Sequence, residues 1–185
     1  MNTFCWMVVA IMVILPAAVA AAPGVSDKGE PKREPPLWGQ PAEGLRLSLR
    51  SGQTKYAIGD KVEVRMVVQN MDTRDRDVVD AHPLFIFDFQ VKGPDGKALP
   101  LSKRGSEIQE TMRGVGKRTL HTLKPKEEAT LNLEFGEIYD LLTPGEYQVI
   151  ASMDVHQQKD SEKWSKLTSN PLTITITEAK EKKDE

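Results

Sequence analysis

The sequence predicts an all-β fold, an antiparallel β-sandwich of about seven to nine strands. Three observations carry this reading. Short runs with strict apolar–polar alternation recur along the chain, turn-forming residues separate them, and no segment of useful length shows helical spacing. A closed barrel is the other architecture compatible with such a pattern, because counting strands does not separate the two.

The runs follow one another clearly. Leu45, Leu47 and Leu49 alternate with Arg46, Ser48 and Arg50, so one face is apolar and the other polar. Residues 55–58 form a short strand that turns at Gly59-Asp60. Val62, Val64, Met66 and Val68 then alternate with Lys61, Glu63, Arg65 and Val67. Residues 84–92 read as a third long strand with Phe85, Phe87, Phe89 and Val91 on one face. Gly93-Pro94-Asp95-Gly96 is a turn, since Pro pre-sets φ and Gly accepts a positive one. Residues 98–101 are its returning strand.

A long polar loop is expected over 103–118. Residues 119–123 and 129–135 read as a hairpin joined across 124–127, and 138–142 as a single helical turn. Thr143-Pro144-Gly145-Glu146 turns into a strand over 147–155. A polar loop over 156–166 leads to the last strand, where Leu172, Ile174 and Ile176 alternate with Thr173, Thr175 and Thr177. The sandwich is thus expected over residues 43–177.

Segments of other character flank it. Residues 1–22 have the pattern of a secretory signal peptide, an apolar stretch from Cys5 followed by small residues. Ala18-Val19-Ala20 is the expected recognition triplet, with cleavage after Ala20. The region before the stretch carries no Lys or Arg, so an uncleaved N-terminal anchor is the alternative, and the only expected route to a membrane. Residues 23–42 contain Pro23, Pro31, Pro35, Pro36 and Pro41 and read as a flexible linker. Trp38 ends it, either docked on the domain or as an exposed ring. Residues 178–185 form a charged, disordered tail.

Composition narrows the function. The net charge is −2, with 28% charged residues, which excludes the basic footprint of a nucleic-acid binder. The single cysteine, Cys5, lies in the leader, so the exported domain is expected to hold together without a disulfide. Export without cysteines points to a bacterial periplasm or exterior.

The chain carries no nucleophile elbow, zinc-protease helix, phosphate loop or dinucleotide fingerprint. His82, His121 and His156 are far apart, without the close spacing of a usual zinc site. No enzymatic activity and no cofactor is expected. Asp72, Asp75, Asp77 and Asp80 are the candidate metal ligands, a carboxylate cluster able to offer oxygens to Ca²⁺. Arg74 and Arg76 are interleaved with them, so a solvated loop with internal ion pairs is the competing reading. Lys103, Arg104, Arg113, Lys117 and Arg118, set against Glu107 and Glu110, make a modest positive patch suited to an anionic polymer such as a cell-surface polysaccharide. Trp164, between Lys163 and Lys166, is a candidate aromatic anchor for a sugar or a protein partner, or a lid on the sandwich end.

The stretch 142–149, Leu-Thr-Pro-Gly-Glu-Tyr-Gln-Val, resembles the turn before the penultimate strand in bacterial immunoglobulin-like and fibronectin-like modules. The likeness extends to Tyr56, Gly59, Asp60 and Val62, to Val68 and Asn70, and to residues 168–174, and covers roughly residues 43–177. The chain resembles a group of bacterial secreted proteins with a single immunoglobulin-like domain. The resemblance implies structural roles for Pro144, Gly145 and Tyr147, the tyrosine hydroxyl bonding back to upstream backbone. The cysteine pair and core tryptophan of antibody domains are absent. A weaker likeness is to the intracellular proteinase inhibitor family, through the Val-x-Asn strand end, the Phe-rich strand and the Pro-Gly-Glu turn.

The expected function is therefore a non-catalytic, secreted or envelope-associated binding module, with a protein or a cell-surface polysaccharide as partner. The alternative is a proteinase-inhibitor-like sandwich or an accessory domain of an envelope enzyme.

Overall fold

The computed structural model describes residues 37–115, 119–156 and 163–179. The expected signal peptide, most of the expected linker and the end of the tail lie outside the described residues.

Among the described residues, ten strands and three helical segments follow one another. They are β1 (Leu45–Ser51), β2 (Lys55–Ala57), β3 (Glu63–Asn70), β4 (Arg76–Asp80), α1 (Pro83–Ile86), β5 (Asp88–Lys92), α2 (Lys103–Val115), β6 (Thr119–Leu123), β7 (Glu128–Glu134), α3 (Phe135–Ile138), β8 (Gly145–His156), β9 (Trp164–Thr168) and β10 (Leu172–Thr177). One antiparallel sheet has the order β1-β3-β7. A second runs β2-β10-β8-β5, with β9 also on β8; within it the β2–β10 pair is parallel. β4 and β6 form a separate two-stranded ribbon. The domain is mostly β and β-sandwich-like.

The alternation in sequence becomes burial. Leu45, Leu47 and Leu49 of β1 and Val64, Met66 and Val68 of β3 are buried from one sheet. Tyr147, Val149, Ala151, Met153 and Val155 of β8, with Ile174 and Ile176 of β10, are buried from the other. All belong to a single apolar cluster. One end is filled by aromatic rings: Phe87, Phe89, Phe135 and Tyr139 follow one another with centroid separations of 6.1, 6.0 and 4.7 Å. Burial there pushes the Tyr139 phenol up to about 12.

Buried polar side chains join what the strands alone leave separate. The Asn170 carboxamide accepts from the Leu49 N–H at 2.9 Å and donates to the Leu49 carbonyl at 3.2 Å, so it serves as a one-residue strand partner for β1. Beside it, the Ser169 hydroxyl accepts from the Ala151 N–H of β8 and donates to the Asn170 carbonyl. Asn70 does the same work at the end of β3. Its Nδ2 donates to the carbonyls of Arg74 and Leu123, and its Oδ1 accepts from the Asp72 N–H. Tyr147 donates its hydroxyl to the Thr143 carbonyl at 2.9 Å and accepts from the Thr143 N–H at 3.2 Å. Gly145 adopts a φ of 140°, and a Cβ there would lie 2.6 Å from the Pro94 ring.

The structure corrects several expectations. Residues 103–115, expected as a loop, are helix α2. Ser102 caps it by accepting from the Gly105 N–H, and Ile108, Met112 and Val115 recur at helical spacing. Residues 76–80, expected in a loop, are β4. Residues 84–86, expected as strand, belong to a helical turn that Pro83 starts and the His82 Nδ1 caps. The returning strand at 98–101 reduces to one bridge, Lys92 with Ala98. β6 and β7 do not pair with each other: β6 joins β4, and β7 joins β3. The helical turn falls at 135–138 rather than 138–142. Residues 37–42, expected in the linker, are tied to the sandwich. Gly39 donates to the Leu47 carbonyl, and Ala42 and Leu45 form a bridge.

Asn170→Ala leaves both backbone groups of Leu49 without partners in a dry interior. Urea denaturation should show a loss of about 2–4 kcal/mol with an unchanged m-value. Asn170→Asp, which keeps an acceptor for the N–H but faces the carbonyl with a second oxygen, should not restore wild-type stability.

Candidate functional site

The outward face of the β1-β3-β7 sheet is set by strand register. Arg46 lies beside Gln69 and Glu128, Ser48 beside Val67 and Thr130, and Arg50 beside Arg65 and Asn132. Two like charges thus sit directly opposite each other, an arrangement that weakens strand pairing. Trp38 adds an aromatic ring, with the guanidinium carbons of Arg46 and Arg50 at 4.0 and 5.1 Å from its centre.

Neutral side chains fix the planes of these arginines. The Arg46 Nε donates to Gln69 at 2.7 Å, the Arg50 Nε to Ser48 at 3.2 Å and the Arg65 Nε to Asn132 at 3.3 Å. None of these arginines pairs with a carboxylate among the described residues. The buried Arg50 Nη2 has no hydrogen-bond partner. A guanidinium carries five N–H donors, and of these arginines the exposed Arg65 presents its terminal groups to an anion, whereas the Arg50 Nη2 is sealed from solvent. Trp38 is positioned by backbone. The Leu37 carbonyl accepts from the Ser48 hydroxyl, and Gly39 lies so close to Thr168 that a Cβ would stand 1.9 Å from its carbonyl oxygen.

A second feature lies beneath the β4–β6 ribbon. A cavity of about 220 Å³ is lined chiefly by Val68, Val78, Ile86, Phe87, Leu131 and Met153, with Asp80 and His121 at its polar side. α1 supplies one wall. Burial pushes the His82 imidazole below its ordinary value, and its Nδ1 is the acceptor that caps this turn. A larger cleft of about 420 Å³ opens elsewhere, beside Asp60, Lys61, Glu134, Glu137 and Asp140. Its Glu134 is already paired with Lys61 at 2.6 Å.

The residues singled out from sequence are dispersed. Lys103 and Arg104 stand in the first turn of α2, with Arg104 facing Glu107 at 3.9 Å. Arg113 is on the same helix, its side chain outside the described residues, where Lys117 and Arg118 also lie. Trp164 is not in a loop but begins β9, pairs in register with His156 and stacks on its ring at 3.5 Å between centroids, while remaining 56% exposed.

The four aspartates do not converge on a common point. Asp72 is engaged locally: the Thr73 N–H above all, with Arg74 and Arg76 adding, holds its carboxyl below the usual carboxylate range. Asp77 and Asp80 fall three positions apart on β4 and so point to opposite faces. Asp77 accepts from the Thr122 hydroxyl. Among the described residues no cluster of His, Cys, Asp and Glu is arranged to hold a metal ion. The sequence alone does not reveal the arginine face, because Trp38 falls in the expected linker and the register that brings Arg65 beside Arg50 is a tertiary fact. Its one sequence signal was the spacing of Arg46 and Arg50 on the polar side of an alternating run.

No protein-family model matches the chain, and no curated protein matches it in sequence. Solved structures resemble it distantly. The C-terminal domain of Wzt aligns at a TM-score of 0.43 and 12% identity, over 77% of this chain and 77% of that one. A β-glucosidase from Erythrobacter marinus aligns at 0.36 and 15% identity, over 72% of this chain and 15% of that one. A Listeria innocua β-glucosidase aligns at 0.37 and 10% identity, over 73% of this chain and 16% of that one. The chain therefore spans about a sixth of these glucosidase chains.

His82 gives the cavity wall a pH dependence. The unfolded chain takes up this proton near 6.5, the folded one only at lower pH. Stability from the neutral imidazole is in place above that value and is lost as pH falls through the lowered folded value. The urea midpoint should drop as pH falls below about 6.5, and His82→Asn, which keeps an acceptor at the cap without titrating, should flatten that drop.

Proposed function

We propose that this chain is a non-catalytic, exported binding module of the immunoglobulin-like type, and that it holds an acidic cell-surface polysaccharide on the outward face of its β1-β3-β7 sheet. The observation that carries the reading is the directly opposed pair Arg50–Arg65 beside Trp38 and Arg46, cations that form no ion pair among the described residues although Glu63 and Glu128 share the face. A chain that keeps a repulsive cross-strand pair on the outward side of a sheet gains from it where an anion binds.

Several features support a polysaccharide as the anion. The face is a sheet surface rather than a closed pocket, so it suits an extended polymer. Guanidinium forks match carboxylates, the Trp38 ring offers a planar contact, and Gln69, Asn132 and Thr130 offer neutral groups for hydroxyls. The strand order β1-β3-β7 against β2-β10-β8-β5, with Tyr147 bonded back to Thr143, supports the immunoglobulin-like type. The apolar stretch from Cys5 to Ala22 supports export to the periplasm or exterior.

Affinity electrophoresis with polygalacturonate, using dextran as the neutral control, tests this reading. Polygalacturonate should retard the chain at low ionic strength and much less at about 0.5 M salt. The double substitution Arg50→Gln and Arg65→Gln should weaken the interaction at least about tenfold while leaving the fold intact. Equal retardation by dextran, an unaffected double variant, or release of reducing sugar by the chain would each defeat the proposal.

A further inference from the structure

The cavity beneath the β4–β6 ribbon is independent of the arginine face. We infer that it is a binding site for a small organic amine, a compact aromatic or branched aliphatic body with one ammonium group. The walls select the body. Val68, Val78, Ile86, Phe87, Leu131 and Met153 come from several elements and border a half-open cavity of about 220 Å³. That is room for a six-membered ring with a short arm, given that an apolar cavity of about 150 Å³ accommodates benzene.

The rim selects the head group. In the β4–β6 register Val78 stands opposite His121, and Asp80 follows two positions on, so all three share one face of the ribbon. Val78 is buried into the cavity floor, which places Asp80 and His121 at the border between apolar lining and solvent. The Asp80 carboxylate has no cationic or hydrogen-bonding partner among the described residues; only its backbone carbonyl is engaged, by Thr119. No Lys or Arg lines the cavity. An apolar chamber whose one formal charge is an unpaired carboxylate favours a cation and disfavours an anion of the same shape.

The ribbon has the construction of a cover. A two-stranded ribbon is marginal by itself. This one is held by Val78 and Leu123, which enter the core, and by Asn70 at one end. The neighbouring wall, α1, is a single helical turn. Both can shift to admit a ligand without disturbing the two sheets.

Ligand-detected NMR titration of the full chain with 2-phenylethylamine tests the inference, with 3-phenylpropionate as the anion of similar body. The amine should bind saturably at millimolar concentration and at least about tenfold more tightly than the acid. Asp80→Asn should bring the two toward equal affinity. Leu131→Trp, at a half-buried position on the cavity wall, should abolish amine binding by filling the space, and Ala129→Leu serves the same end should the first variant unfold. Equal binding of amine and acid to the wild-type chain, amine binding untouched by the filling substitution, or no saturable binding at all would overturn it.

Discussion

The Asn170 side chain holds the two sheets in position, and much of the surface depends on it. No disulfide joins the sheets among the described residues. A pair of hydrogen bonds from one carboxamide to both backbone groups of Leu49 supplies a cross-link instead. The link is strong because it is dry. Asn170 is 7% exposed and Leu49 2%, so water offers no replacement partner. The adjoining Ser169 bonds extend the connection to Ala151 in the middle of β8. Thr168, next along, presents the carbonyl against which Gly39 packs. The segment carrying Trp38 is thus seated against the same short stretch that joins the sheets, and the aromatic member of the arginine face is placed by the core rather than by the surface.

Much of this framework was legible in the sequence. β1, β3, β8 and β10 are amphipathic with period two, and burial of one side of such a run follows from the geometry of a strand. The turn around Tyr147 was legible because Pro, Gly and Tyr each serve there for a separate reason. The misreadings have physical causes. β4, with sequence Arg-Asp-Val-Val-Asp, sinks one apolar side chain, Val78, while Asp77 and Asp80 are exposed and Arg76 is half-buried against the Glu43 carbonyl, so nothing in its pattern outweighs the appearance of a polar loop. α2 contains Gly105, Gly114, Ser106 and Thr111, which lower local helix preference; its docking on α3 through Ser102 is a tertiary gain. β6 reads as a strand in the sequence, but its partner is β4 rather than β7, because adjacency in sequence is only a tendency in sheets.

The candidate sites were less legible than the fold, for a related reason. A core is written in residue type, whereas an outward face is written in register. Arg46 and Arg50 belong visibly to the polar side of one strand, and Arg65 to the polar side of another, yet only the pairing of Ser51 with Val64 brings Arg50 and Arg65 together. Charge counting pointed instead to 103–118, where cations are dense in sequence. Of these, Lys103 and Arg104 fall in the first turn of α2, where Arg104 turns to Glu107. The four aspartates show the same effect: closeness along the chain became divergence in space once β4 extended. The cavity had no sequence signature at all, because its walls come from β3, β4, α1, β7 and β8.

These two candidate sites differ in mechanical character. The arginine face lies on strands joined by full ladders, and its guanidinium planes are fixed by Gln69, Ser48 and Asn132. Little ordering is left to be done when an anion arrives, which is the condition under which exposed charges bind effectively. The cavity is bounded by a ribbon and a single helical turn whose cap is one histidine nitrogen. Local opening is drawn from such weakly anchored elements, while strands stitched by Asn70 and Asn170 open last. The same domain therefore carries a rigid outer surface and a deformable inner chamber. The division falls where the polar cross-links stop: Asn70 secures the Leu123 end of the ribbon, and the opposite end, at Asp80 and Thr119, is held chiefly by its own ladder.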